Sequence, residues 1–145
     1  MNLRINSLFE KPIGQVLKQA GLISSFQLDL ALKEQSLNQQ MLIGEILALR
    51  GWIKRETVEF FVNCLPNLIH KKQKQPLGYY LKQAGLLSDN QVQYILSLQN
   101  QEQSWIRFGK LAVINNLLKQ ETLDFFLGNV CTKSYLDRVY LSDEY

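Results

Sequence analysis

The stretch Pro12-Ile13-Gly14-Gln15-Val16-Leu17-Lys18-Gln19-Ala20-Gly21-Leu22-Ile23-Ser24 returns further on as Pro76-Leu77-Gly78-Tyr79-Tyr80-Leu81-Lys82-Gln83-Ala84-Gly85-Leu86-Leu87-Ser88. The shared Leu-Lys-Gln-Ala-Gly-Leu core is too long for coincidence, so the fold is read from a repeat. A second pair follows the first. Ile43-Gly44-Glu45-Ile46-Leu47 matches Phe108-Gly109-Lys110-Leu111-Ala112, and Lys54-Arg55-Glu56-Thr57-Val58-Glu59-Phe60-Phe61 matches Lys119-Gln120-Glu121-Thr122-Leu123-Asp124-Phe125-Phe126. Each copy also repeats internally, with motifs opening at Pro12, Leu42, Pro76 and Arg107.

One motif is enough to see the physics. Pro12 suits a helix start, where its missing N–H leaves nothing unpaired. Ile13, Val16, Leu17 and Ala20 make one apolar stripe at helical spacing. Gly21 supplies the left-handed residue that ends the helix. Leu22-Ile23 form an apolar elbow, and Ser24 with Gln27 reads as a capping box opening a second helix. Ser88 with Gln91 repeats that device. Gly51 fills the left-handed position in the second motif and Asn116 in the fourth, asparagine being the best substitute for glycine there. Gly14, Gly44, Gly78 and Gly109 fall in first turns of helices, where glycine is costly. They predict the close approach of another helix or of a ligand.

The expected fold is all-α: about eight short helices in four helix hairpins, as two tandem four-helix repeats packed into a compact bundle. The helices are expected near 12–20, 24–36, 42–50, 54–67, 76–84, 88–101, 107–115 and 119–133. An arm over 1–11, a first repeat over 12–68, a linker over 69–75, a second repeat over 76–133 and a tail over 134–145 complete the division. The tail reads equally as a short helix or an extended strip. The duplication is compatible with one continuous core or with two lobes joined at 70–75.

Composition narrows the function classes. The chain has 145 residues, is 46% hydrophobic and 20% charged, and carries a formal charge of +3. Nucleic-acid binders show a larger and more clustered excess, so Lys71, Lys72 and Lys74 read as a solvated linker. Cys64 and Cys131 show no metal-ligand spacing and read as reduced thiols of a cytoplasmic protein. No run approaches the roughly 18 apolar residues of a spanning helix, and no signal sequence is evident at Met1. The only histidine, His70, lies among basic neighbours. Acid pairs such as Asp29 and Glu34 fall on helix surfaces, and no nucleophile-elbow, zincin or phosphate-loop pattern occurs. The chain therefore reads as non-enzymatic, with no cofactor. Phe60-Phe61 and Phe125-Phe126 invite a different reading. Adjacent residues point about 100° apart on a helix, so one of each pair can fill the core while the other reaches a flank, and a wide buried face that takes both is the plainer alternative. Phe61 and Phe126 are thus candidates for contact between the repeats or with a partner, as are Tyr79 and Trp105.

The pattern Leu-Gly-x-x-Leu-x-x-x-Gly-Leu-Ile followed by Leu-x-x-Ala-Leu-x-x-Gln resembles the N-terminal domain of type II secretion and type IV pilus assembly ATPases. The resemblance runs from residue 12 to about 130. It implies a docking module, and in some members a cyclic di-GMP receptor whose motifs open on Arg-Leu-Gly and close on Gln. On that pattern Gln35 and Gln99 match the closing glutamine, and Arg107 alone matches the opening arginine. Pro12, Leu42 and Pro76 hold that place elsewhere, and proline has no donor to offer a nucleotide. The resemblance thus implies two functions. The first is a protein-interaction adaptor for a pilus or secretion component. The second is a cyclic di-GMP receptor using Arg107, Gln99, Gln35, Gly78 and Gly109, with Leu77, Leu81 and Leu111 lining a groove. A receptor places Arg107 and Gln99 beside that groove. An adaptor leaves Arg107 exposed or salt-bridged and shows an apolar patch elsewhere.

Overall fold

A computed structural model describes residues 11–101 and 105–131. Helix α1 spans Ile13–Gln19, α2 Ser25–Leu37, α3 Ile43–Leu49, α5 Leu77–Gln83, α6 Asp89–Gln99, α7 Phe108–Ile114 and α8 Gln120–Asn129. Helix α4 is continuous but changes winding: α-helical over Arg55–Glu59, π-helical over Phe60–Cys64, α-helical again over Leu65–Leu68. These are eight helices, with no strand among the described residues. The all-α expectation holds. The N-terminal arm except Lys11, and the whole tail over 134–145, lie outside the described residues.

The helix ends follow their local chemistry. Ser24 Oγ accepts from Gln27 N (3.1 Å) while Gln27 Oε1 accepts from Ser24 N (2.8 Å). Ser88 and Gln91 do the same at 3.2 and 2.8 Å. Each box satisfies two donors that a helix start would otherwise leave orphaned. At the far end of α1, Gly21 sits at φ 75°. Leu22 N bonds Leu17 O (3.0 Å) and Gly21 N bonds Lys18 O (2.9 Å), the six-to-one and five-to-two pair of a Schellman ending. The same pair closes α3 at Gly51, α5 at Gly85 and α7 at Asn116, whose φ is 59°.

The first-turn glycines are places of helix contact. A β-carbon at Gly14 would lie 2.6 Å from Leu28 Cδ1, and one at Gly44 would lie 2.6 Å from Val58 Cγ1. One at Gly109 would overlap Leu123 Cδ1 and come within 3.0 Å of Leu77 Cδ2. So α1 closes on α2, α3 on α4 and α7 on α8 tightly enough that a β-carbon at these glycines would displace the facing side chain. Gly78 is buried.

One apolar cluster runs through the molecule, from Val16 and Leu17 to Val130. Its centre is a block of four phenylalanines. Phe60 stacks on Phe126 (ring centroids 6.0 Å apart), Phe61 stacks on Phe125 (5.7 Å), and Phe61 meets Phe126 edge to face at 6.1 Å. Of the alternatives the sequence offered, the wide buried face is the one found, and Phe61 with Phe126 makes a contact between the repeats. All four rings are at least 96% buried, because α4 and α8 face each other and each covers the other's second ring. Pro66 has no N–H for Val62 O, and its ring would press on that carbonyl in an α-helix. The π turn ahead of it avoids the clash, with Leu65 N reaching back to Phe60 O.

Two buried threonines join segments far apart in sequence. Thr57 Oγ1 donates to Ala84 O and Thr122 Oγ1 donates to Ala20 O, both at 2.7 Å. Beside them, Lys54 Nζ donates to Gly85 O and Lys119 Nζ to Gly21 O, both at 3.1 Å. Glu56 lies over Gly85 and Glu121 over Gly21. Each Lys-x-Glu-Thr therefore clasps the Ala-Gly ending of a helix in the other repeat. The lysines approach the carbonyl ends of α5 and α1, where the helix dipole favours a cation.

Candidate interaction site at two helix junctions

The two matching glutamines have a definite structural task. Gln35 Nε2, near the end of α2, donates to Met41 O at 3.1 Å. Gln99 Nε2, at the end of α6, donates to Ile106 O, also at 3.1 Å. Each bond holds the carbonyl just before the N-cap of the next helix. Those N-caps are Leu42 (φ −76°, ψ 149°) and Arg107 (φ −70°, ψ 154°), an equivalent backbone carrying unlike side chains. The glutamines thus build two similar mounts, one presenting leucine and the other arginine.

Both mounts face solvent. Around the first, Leu37 is 90% and Leu42 66% exposed. At the second, Trp105 is 81% exposed and Arg107 is exposed without making a side-chain cap bond. Large apolar groups at such exposure cost hydration free energy when left bare, and contact that covers them recovers it. Tyr79, half exposed on α5, packs edge to face on buried Tyr80, whose hydroxyl accepts from Gln75 N at 2.8 Å.

The remaining expected ligand residues sit elsewhere. Leu81 and Leu111 have no exposed surface and Leu77 has 5%. They form core under α5 and α7 and line no groove. The space above Gly109 is filled by Leu123 and Leu77. Phe61 and Phe126 meet each other inside the protein. Arg107 and Gln99 are brought to one junction, but through the backbone: the glutamine amide is engaged by the loop carbonyl.

A shallow depression of about 210 Å³ lies beside the π turn, lined by Lys11, Ile13, Val16, Phe61, Leu65 and Pro66 among others. No group of acids, cysteines and histidine able to hold a metal ion occurs among the described residues. No described helix is long and apolar enough to cross a membrane. Arg50 links Glu34 (2.8 Å) to the face of Trp52, 5.4 Å from the ring centroid, bracing the first junction from the side.

Sequence reasoning missed Thr57, Thr122, Lys54 and Lys119 as a set. The signal was the Lys-x-Glu-Thr common to both repeats; the partner carbonyls, some hundred residues away in one case, leave no trace in a linear pattern.

No family model matches the chain, and no solved structure matches it. The chain is 40% identical over 126 residues to the uncharacterized protein SYNPCC7002_A1588 of Picosynechococcus sp., an overlap covering 87% of this chain and 67% of that protein. At that identity and coverage, the chain belongs to the same family as this Picosynechococcus protein.

Proposed function

We propose that the protein is a non-catalytic regulatory adaptor, acting in the cytoplasm by docking on a protein component of a pilus or secretion machine. The observation that carries this reading is the junction surface. Leu37 and Leu42 are exposed on a mount fixed by Gln35, while the leucines needed for a nucleotide groove are in the core. Covering these leucines with a partner removes apolar surface from water, which favours association. The resemblance to secretion-ATPase N-terminal domains supplies the kind of partner.

The test is a double variant, Leu37→Glu with Leu42→Glu, compared with the wild type in co-purification with pilus and secretion components. The expected result is loss of the partner with helix content and melting temperature retained. Partner recovery unchanged in a folded variant would remove the junction from the interface.

Exposed Arg107 near exposed Trp105 favours a second reading, cyclic di-GMP binding, since a guanidinium and an indole face can hold a guanine. Calorimetric titration separates the two readings. The adaptor predicts no heat at high ligand concentration. Micromolar binding abolished by Arg107→Ala would put the receptor in its place.

A further inference from the structure

The contacts between the repeats are reciprocal. Thr57 reaches Ala84 O as Thr122 reaches Ala20 O, at the same 2.7 Å. Lys54 reaches Gly85 O as Lys119 reaches Gly21 O, at the same 3.1 Å. Glu56 covers Gly85 as Glu121 covers Gly21. Phe60 on Phe126 corresponds to Phe125 on Phe61, and the Phe61–Phe126 contact corresponds to itself. Every donor on one side thus has its counterpart on the other. That is the geometry of an isologous interface, in which one patch meets its own copy.

Each repeat therefore carries both the clasp and the helix ending that the clasp grips. What makes the pairing intramolecular is the connection between α4 and α5. Residues 70–73 in it are exposed, and the chain is tied down at its flanks by Lys74 Nζ to Leu68 O and by Gln75 N to Tyr80.

We propose that the surface joining the repeats also accepts the complementary repeat of a second copy of this chain, giving a half-exchanged dimer. In that dimer the first repeat of one copy clasps the second repeat of the other through the same threonine, lysine and phenylalanine contacts. No new interface is required, so the closed monomer and the dimer differ mainly in the path of the connection and in the entropy of association. Exchange of identical elements between copies is a low-cost route to dimers, governed by the hinge.

The experiment uses the full chain and a hinge variant lacking Lys71–Lys74. Both are unfolded in denaturant, refolded at micromolar and at near-millimolar concentration, and sized by light scattering. The expected result is a dimer of twice 16.8 kDa, dominant in the hinge variant and favoured at high concentration in the wild type, with native helix content. A second measurement does not depend on the deletion. A protease site of equal length replaces Lys71–Lys74 and is cut in the folded protein. The two pieces are expected to co-elute as one complex, and to separate when Thr57→Asp and Thr122→Asp are combined. Monomers or aggregates alone in the first experiment would overturn the exchange. Pieces that part on cutting would overturn the reciprocal interface itself.

Discussion

Gly109 and Gly128 are both helical glycines, yet alanine should act on them in opposite directions. At Gly128 nothing lies within 4 Å of the added β-carbon, so alanine gains helix propensity and stability rises by about 0.5–1 kcal/mol. At Gly109 the same atom meets buried Leu123 and Leu77. Overpacking costs about 1–3 kcal/mol and outweighs the propensity gain. Denaturant titration of the two variants checks the sign; equal shifts would mean that α7 and α8 can part freely. Thr122→Val tests the clasp at the same scale. It leaves Ala20 O without its donor in a buried place, at a cost of about 1–3 kcal/mol, and Thr57→Val should match it. Gly109 was legible in the sequence, because a helix start is where glycine has no local reason to be. The threonines were not, because a hydroxyl on an apolar face says nothing of which carbonyl it will meet. Gln35 and Gln99 were legible as special and read as ligand contacts by resemblance; the amide that could meet a nucleotide meets a loop carbonyl just as well.

Among the elements, the capped helices are the most local and were the easiest to read. Ser24→Ala and Ser88→Ala each remove one half of a capping box and should cost about 1 kcal/mol, measured by thermal or chemical unfolding. A loss confined to one of them would show that tertiary contacts, and not the cap, fix the start of the other helix. The π turn of α4 was not legible. A proline twelve residues into a helix-like pattern predicts an end or a kink, and a change of winding at Phe60 depends on what packs around it. The two connections illustrate the same limit. Their lengths and polar character follow from the sequence, while the exposure of Leu37, Leu42 and Trp105 is a property of the assembled surface.

For the whole molecule, the four rings at the centre decide whether the repeats stand alone. Phe126 touches Phe60, Phe61 and Phe125. Phe126→Ala should therefore cost about 3–5 kcal/mol and should weaken both repeats together. Hydrogen exchange followed across α1–α4 as well as α5–α8 gives the answer, and protection lost only in α5–α8 would show two independent units. The sequence left open whether the duplication forms one core or two lobes. Hydrophobic periodicity marks which face of a helix is buried, and it carries no label for the helix on the other side.

The glutamine mounts have one more consequence. Each fixes a main-chain carbonyl and makes no demand on the side chain that follows, which is why the same backbone carries leucine at 42 and arginine at 107. Frame and message are uncoupled at these two points. Sequence change there can rewrite what the protein says to its surroundings while the scaffold underneath stays as it was.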